Sequence, residues 1–128
     1  MRLNRRFKEV VIKDKQIIAV LVFGSYAREN GRKESYRDID LCLVLDKRYT
    51  DSEMFDKKLR YIPLLPDKFD VNLFQQLPLY IRMRVLKEGK VILCKNEDLL
   101  YDISFDTIKE FNLFEKHYNL YLEGVKNG

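Results

Sequence analysis

Residues 17–46 read IIAVLVFGSYARENGRKESYRDIDLCLVLD, and this stretch decides the fold. Ile17 to Phe23 is an unbroken β-branched and aliphatic run, the pattern of a buried strand. It stops at Gly24-Ser25, after which Tyr26-Ala27-Arg28 opens a short helix. A basic, glycine-containing loop from Glu29 to Arg37 leads to a second strand, which starts with Asp38-Ile39-Asp40 and continues through Leu45. Alternate residues of a strand share a face, so Asp38 and Asp40 point the same way, roughly 6.5 Å apart. Ile39, Leu41, Leu43 and Leu45 turn to the opposite face and enter a core. Two carboxylates at that spacing, beside a turn of small residues, suit a divalent metal carrying a phosphate. Each piece alone says less: a Gly-Ser after a strand is commonly a turn, and an Asp-x-Asp at a strand start is commonly a solvated edge. Their order along the chain carries the reading.

The bulk numbers bound the rest. The chain has 128 residues, 46% hydrophobic and 34% charged, with a net charge of +4. That is one globular domain, spanning 1–128, with enough length for a real core and too little for a second substrate domain. The charge is compatible with phosphate-bearing ligands but too small and dispersed to point to nucleic acid. No apolar stretch is long enough to span a membrane, and the N-terminus lacks a signal-peptide core. Cys42 and Cys94 fall in strands without metal-ligand spacing, as expected of reduced thiols in a cytoplasmic protein.

Elsewhere the elements follow from periodicity and caps. Leu3, Phe7, Val10 and Val11 make one face of a first helix. Thr50 with Glu53 is a capping box opening a helix with Phe55, Leu59 and Ile62 inward, stopped by Pro63 and Pro66. Lys68 to Phe74 is a third strand, with Asp70 and Asn72 on one face and Val71 and Leu73 on the other. Pro78 starts a helix carrying Leu79, Ile81, Val85 and Leu86, which Gly89 ends. Val91 to Cys94 is a fourth strand at a sheet edge. A last helix is expected from about Asn96 to Leu122, with a seam of Tyr101, Phe105, Ile108, Phe111, Phe114, Tyr118 and Tyr121. Its early part is expected to pack on the body and its late aromatics to extend beyond it. His117, the only histidine, reads as a helix-surface residue.

Strand, Gly24-Ser25, loop, Asp38-Ile39-Asp40 and strand together resemble the DNA polymerase β-like nucleotidyltransferase superfamily, and its minimal members in particular. Asp70 on its own strand, then Leu77-Pro78, Arg82, Gly89 and Val91-Ile92-Leu93, continue the likeness, which covers about residues 17–94. Two features depart from the pattern. Twelve residues, Tyr26 to Arg37, separate Ser25 from Asp38, about two more than usual, and Arg37 replaces the common Ser or Thr before the first Asp.

The resemblance implies an α/β (α+β) fold, a mixed β-sheet flanked by helices. It implies that Asp38, Asp40 and Asp70 are the catalytic and metal-holding acids, with Mg²⁺ as the ion and ATP as the substrate. Gly24, Ser25 and Arg28 are the implied nucleotide contacts. Arg32, Lys33 and Arg37 of the loop are weaker candidates. The short relatives are antitoxins encoded beside a HEPN-domain RNase toxin, to a tyrosine of which they transfer AMP. The same transfer is therefore the leading expectation here, with the toxin as a separate chain. Two alternatives stand beside it: an antitoxin that neutralises its partner by contact alone, and a small-molecule nucleotidyltransferase of the aminoglycoside-modifying kind. A homo-oligomer through the final helix is a further expectation, whereas membrane and direct nucleic-acid partners are not expected.

Overall fold

The protein is described by a computed structural model covering residues 3–29, 31 and 38–127, the last by its backbone alone. A four-stranded sheet forms its centre, in the order β3-β2-β1-β4. β1 spans Ile17–Phe23, β2 Ile39–Leu45, β3 Phe69–Leu73 and β4 Lys90–Cys94. β1 pairs antiparallel with β2 and with β4, and β2 pairs parallel with β3. This is the mixed sheet that the resemblance implied.

Helices cover both faces. α1 (Arg5–Lys13) and α3 (Asp51–Tyr61) lie over one face, where Phe7, Val11, Met54 and Tyr61 meet Ile39, Leu41, Leu43 and Leu45. α4 (Leu79–Glu88) and the first half of α5 (Glu97–Asn127) lie over the other. There Val85 packs with Cys42, Val44 and Phe74, and Ile81, Leu99, Leu100 and Ile103 pack around them. β1 is buried at all seven positions because both faces are covered. An unbroken apolar run is what such a strand requires.

The capping box expected at Thr50 forms, and α1 has a side-chain cap as well. Asn4 accepts the Phe7 N–H and opens α1, leaving Leu3 buried in the core just ahead of the helix rather than inside it. Thr50 and Glu53 close a reciprocal capping box at the start of α3. Pro63 belongs to a short 3-10 turn, Ile62–Leu64, that ends the helical run.

Two expectations about helix faces are corrected. Phe55, Leu59 and Ile62 point outward and are about half exposed, whereas Met54 and Tyr61 are buried. The inward face of α3 also carries Lys57, whose Nζ lies 2.7 Å from Asp14 Oδ2 with both side chains 9% exposed. A charged residue on the buried face disguised that face's periodicity. In α5, Tyr101, Phe105 and Ile108 are exposed. The body is instead met by Leu99, Leu100, Ile103 and the buried Thr107, whose hydroxyl donates to the Ile103 carbonyl.

α5 continues unbroken past the body, with Phe114, Tyr118 and Tyr121 exposed and His117 on the surface. Among the described residues no helix is long and apolar enough to cross a membrane.

Candidate functional site

The end of β1 and the starts of β2, β3 and β4 all lie at one end of the sheet, because Phe23 pairs with Asp40, Asp40 with Asp70, and Val22 with Lys90. A cleft of about 500 Å³ opens there, lined by Phe23, Gly24, Ser25, Arg28, Asp38, Asp40, Asp70, Ile81 and Arg84. Gly24, Ser25, Arg28 and the three acids, all named from the sequence, are in that lining. Arg32, Lys33 and Arg37 lie outside the described residues.

Each acid is presented by its strand. Asp38 immediately precedes β2 and is exposed, and Asp40 is its second residue and half-buried. Asp70 is exposed on β3 directly beside Asp40 in the parallel register. Alternation holds on both strands: Leu41, Val71 and Leu73 are buried on the far face. The core thus fixes which way the acids point, since slipping either strand by one residue would bury them.

Asp40 feels this crowding. Burial pushes its carboxyl above the usual carboxylate range, and the neighbouring Asp70 and Asp38 push it further, with Arg28 pulling the other way. The Asp70 carboxyl is also its hydrogen-bond partner. A carboxylate in this position lacks a full set of counter-charges, and a cation would supply it.

The donor set fits a hard ion such as Mg²⁺, which takes carboxylate oxygens and retains waters. Asp38, Asp40 and Asp70 are the residues able to hold it. Among the described residues no three acid, histidine or cysteine side chains are already drawn together as metal ligands.

Gly24 opens α2 (Gly24–Arg28) and has a positive φ of 75°. A Cβ built there would collide with Oδ2 of Asp40. Glycine is therefore required both by the backbone turn and by the closeness of the acid.

Arg28, at the end of α2, gives Nη1 to Glu88 Oε2 at 3.1 Å. Ile81 and Arg84 escaped the sequence reading as site residues. Residues 81, 84 and 88 fall at i, i+3 and i+7 on α4, one face of a helix, and that spacing was the available signal. Arg82, part of the resemblance, is not in the cleft lining. It bonds the Leu77 carbonyl and both carboxylate oxygens of Glu110, tying α4 to α5.

An acidic cleft beside a glycine turn and two arginines can hold a metal-bound polyphosphate at the end of a sheet. Comparisons with known proteins agree with the geometry. The polymerase beta nucleotidyltransferase family matches residues 5–98. A Methanocaldococcus jannaschii protein, named as a candidate protein adenylyltransferase, is 40% identical over 77 residues, or 60% of this chain. Those residues are 56% of that relative, so the match spans little more than half its length.

The fold resembles a toxin–antitoxin crystal structure with AMP-PNP, at a TM-score of 0.66 and 16% identity over 96% of this chain and 98% of the other. It also resembles a structure of a tri-AMPylated Shewanella oneidensis HEPN toxin in complex with MNT antitoxin. That likeness has a TM-score of 0.61 and 13% identity, over 94% of this chain and 97% of the other. At those identities the likeness speaks for the fold. The match over residues 5–98 settles the family: the chain belongs to the polymerase beta nucleotidyltransferases.

Proposed function

We propose that the protein transfers AMP from ATP to a tyrosine hydroxyl of a separate HEPN-type RNase toxin and silences it. The observation that carries this reading is the convergence of Asp38, Asp40 and Asp70 on one cleft beside Gly24-Ser25. Support also comes from the name of the M. jannaschii relative and from the toxin–antitoxin complexes that share the fold.

In this reading the cleft binds the triphosphate and orients its α-phosphorus toward the acceptor. Gly24 and Ser25 offer backbone N–H groups and a hydroxyl to phosphate oxygens, and Arg28 offers its guanidinium. Asp38, Asp40 and Asp70 hold Mg²⁺, which when bound neutralises charge on the entering and leaving oxygens. Asp70 has a further role, because its carboxylate is exposed at the cleft and accepts the proton of the tyrosine hydroxyl as the oxygen attacks. The new bond joins that oxygen to the α-phosphorus, and pyrophosphate leaves with the electron pair of the broken P–O bond.

The acceptor needs a docking surface, and the exposed aromatic stretch of α5 from Phe114 to Tyr121 offers apolar area for it. ATP and free thiols coexist in the cytoplasm, the compartment this reading implies.

One incubation tests the proposal: labelled ATP and Mg²⁺ with the purified chain, with and without the candidate toxin. Label on a toxin tyrosine is the expected result. A tight complex without label would replace it with neutralisation by contact, and label on an aminoglycoside with small-molecule transfer.

A further inference from the structure

Glu88 is the last residue of α4, at the same end of the sheet as the three acids. Its Oε2 accepts Arg28 Nη1 at 3.1 Å and stands 3.6 Å from Arg84 Nε. One carboxylate oxygen thus gathers two guanidinium groups from different helices, and both arginines line the cleft of Asp38, Asp40 and Asp70.

Stability does not explain this arrangement. The Arg28 and Arg84 side chains are 44% and 50% exposed, and ion pairs that wet contribute little to folding. Each arginine carries five N–H donors in a rigid fork, far more than one carboxylate oxygen can absorb. Two guanidinium groups drawn together also repel each other, so a pair of this kind suits an incoming anion of high charge.

A triphosphate is such an anion, and among the described lining residues these arginines are the only cationic side chains that meet it. Three carboxylates repel phosphate oxygens, and α2 has only five residues, too short for its helix dipole to offset them.

We propose that Arg84 joins Arg28, already assigned to the phosphates above, in clamping the β- and γ-phosphates as the leaving pyrophosphate, and that Glu88 is the positioning residue that aims both. The clamp rests on the reading of the cleft as an ATP site. As the acceptor oxygen bonds to the α-phosphorus, the bond to the β-phosphate oxygen breaks and its electron pair goes to pyrophosphate. The guanidinium forks meet the charge that develops there. Planar, bidentate matching to phosphate is the property that distinguishes arginine from lysine.

The test measures binding of ATP, pyrophosphate and AMP to the full chain with Mg²⁺, alongside thermal melts. Arg84→Ala should weaken ATP and pyrophosphate by about tenfold or more while leaving AMP unchanged. Glu88→Ala should move the same two ligands in the same direction by a smaller factor. Glu88→Gln keeps an acceptor oxygen in place and should recover most of that loss, which a merely structural role would not predict.

Arg84→Ala with an unchanged ratio of ATP to AMP affinity would overturn the clamp. Glu88→Ala with wild-type or tighter ATP binding would overturn the positioning role. Wild-type protein that binds no ATP would remove the ATP-site reading itself, an outcome distinct from either.

Discussion

Asp40 is the residue on which the site's electrostatics converge. Burial, Asp70 and Asp38 all raise its carboxyl above the ordinary value of 3.8, so ionising it costs folding energy. The sign follows directly: the cost is absent at low pH, appears as pH rises past 3.8 and is complete above the raised folded value. Asp40→Asn removes it. Without metal this variant should melt at or above the wild-type temperature at neutral pH and lose that advantage in acid. AMP transfer should fall by about a thousandfold or more, since a residue proposed to hold the ion is gone. A metal-free melt clearly below wild type would mean that Asp40 is structural. Gly24→Ala tests the neighbouring turn. Its φ of 75° and the collision with Asp40 should cost roughly 1–3 kcal/mol, read by denaturant unfolding, and abolish ATP binding. At this scale the sequence marked residues that the structure gathers in one cleft wherever spacing and residue type coincide, as at Gly24, Asp38 and Asp40. Arg84 was harder to read, because its spacing with Ile81 and Glu88 marks a shared helix face without saying that acids on two other elements stand opposite it.

Among the elements, α3 and α5 have buried faces that break simple patterns. Lys57 reaches into the interior to meet Asp14, which also accepts the Tyr61 hydroxyl at 2.7 Å and the Gln16 N–H at 3.0 Å. Burial acting alone would raise the Asp14 carboxyl, but these partners outweigh it and hold the group below 3.8. Its contribution to stability is therefore full above 3.8 and disappears as pH falls through the lowered value. Lys57→Met leaves Asp14 buried without its counter-charge and should cost about 3 kcal/mol at neutral pH, with the deficit shrinking in acid. A variant as stable as wild type at neutral pH would show that the pair contributes nothing net. α5 makes the opposite case. Its aromatic periodicity is plain in the sequence, yet Tyr101, Phe105 and Ile108 face outward, because what settles a helix face is the shape of the body it meets. Phe114 and Tyr118 stack with their ring centroids 6.0 Å apart while 56% and 52% exposed. Phe114→Glu with Tyr118→Glu should leave the melting temperature within a few degrees of wild type and weaken assembly with the toxin proposed as its partner. Sedimentation of the chain alone separates two occupants: a dimer abolished by the double variant would assign the stripe to a second copy. Unfolding of the double variant would mean that these rings belong to the core.

For the molecule as a whole, the sheet divides its work between its two ends. Asp14, Lys57 and Lys95 meet at the entry to β1, where Lys95 Nζ donates to the Val11 and Asp14 carbonyls at 2.7 Å each. The acids crowd at the other end, beyond Phe23. One end is satisfied internally and the other is left short of positive charge. The existence and order of the strands were readable from apolar runs, and the edge position of β4 from its flanking lysines. The buried polar network was not, because it depends on pairings between Asp14, Lys57, Tyr61 and Lys95, up to 81 positions apart in sequence. This division predicts how the whole domain responds to ligand. ATP with Mg²⁺ at about 100 times its Kd should add about 2.7 kcal/mol to stability by linkage. For a domain of this size that raises the melting temperature by on the order of 10 °C. Asp40→Asn should begin at or above wild type and gain little, so that the two melting curves exchange order when ligand is added. A wild-type melt that ATP and Mg²⁺ leave unmoved would sink the ATP-site reading. A variant that gains as much as wild type would remove Asp40 from it.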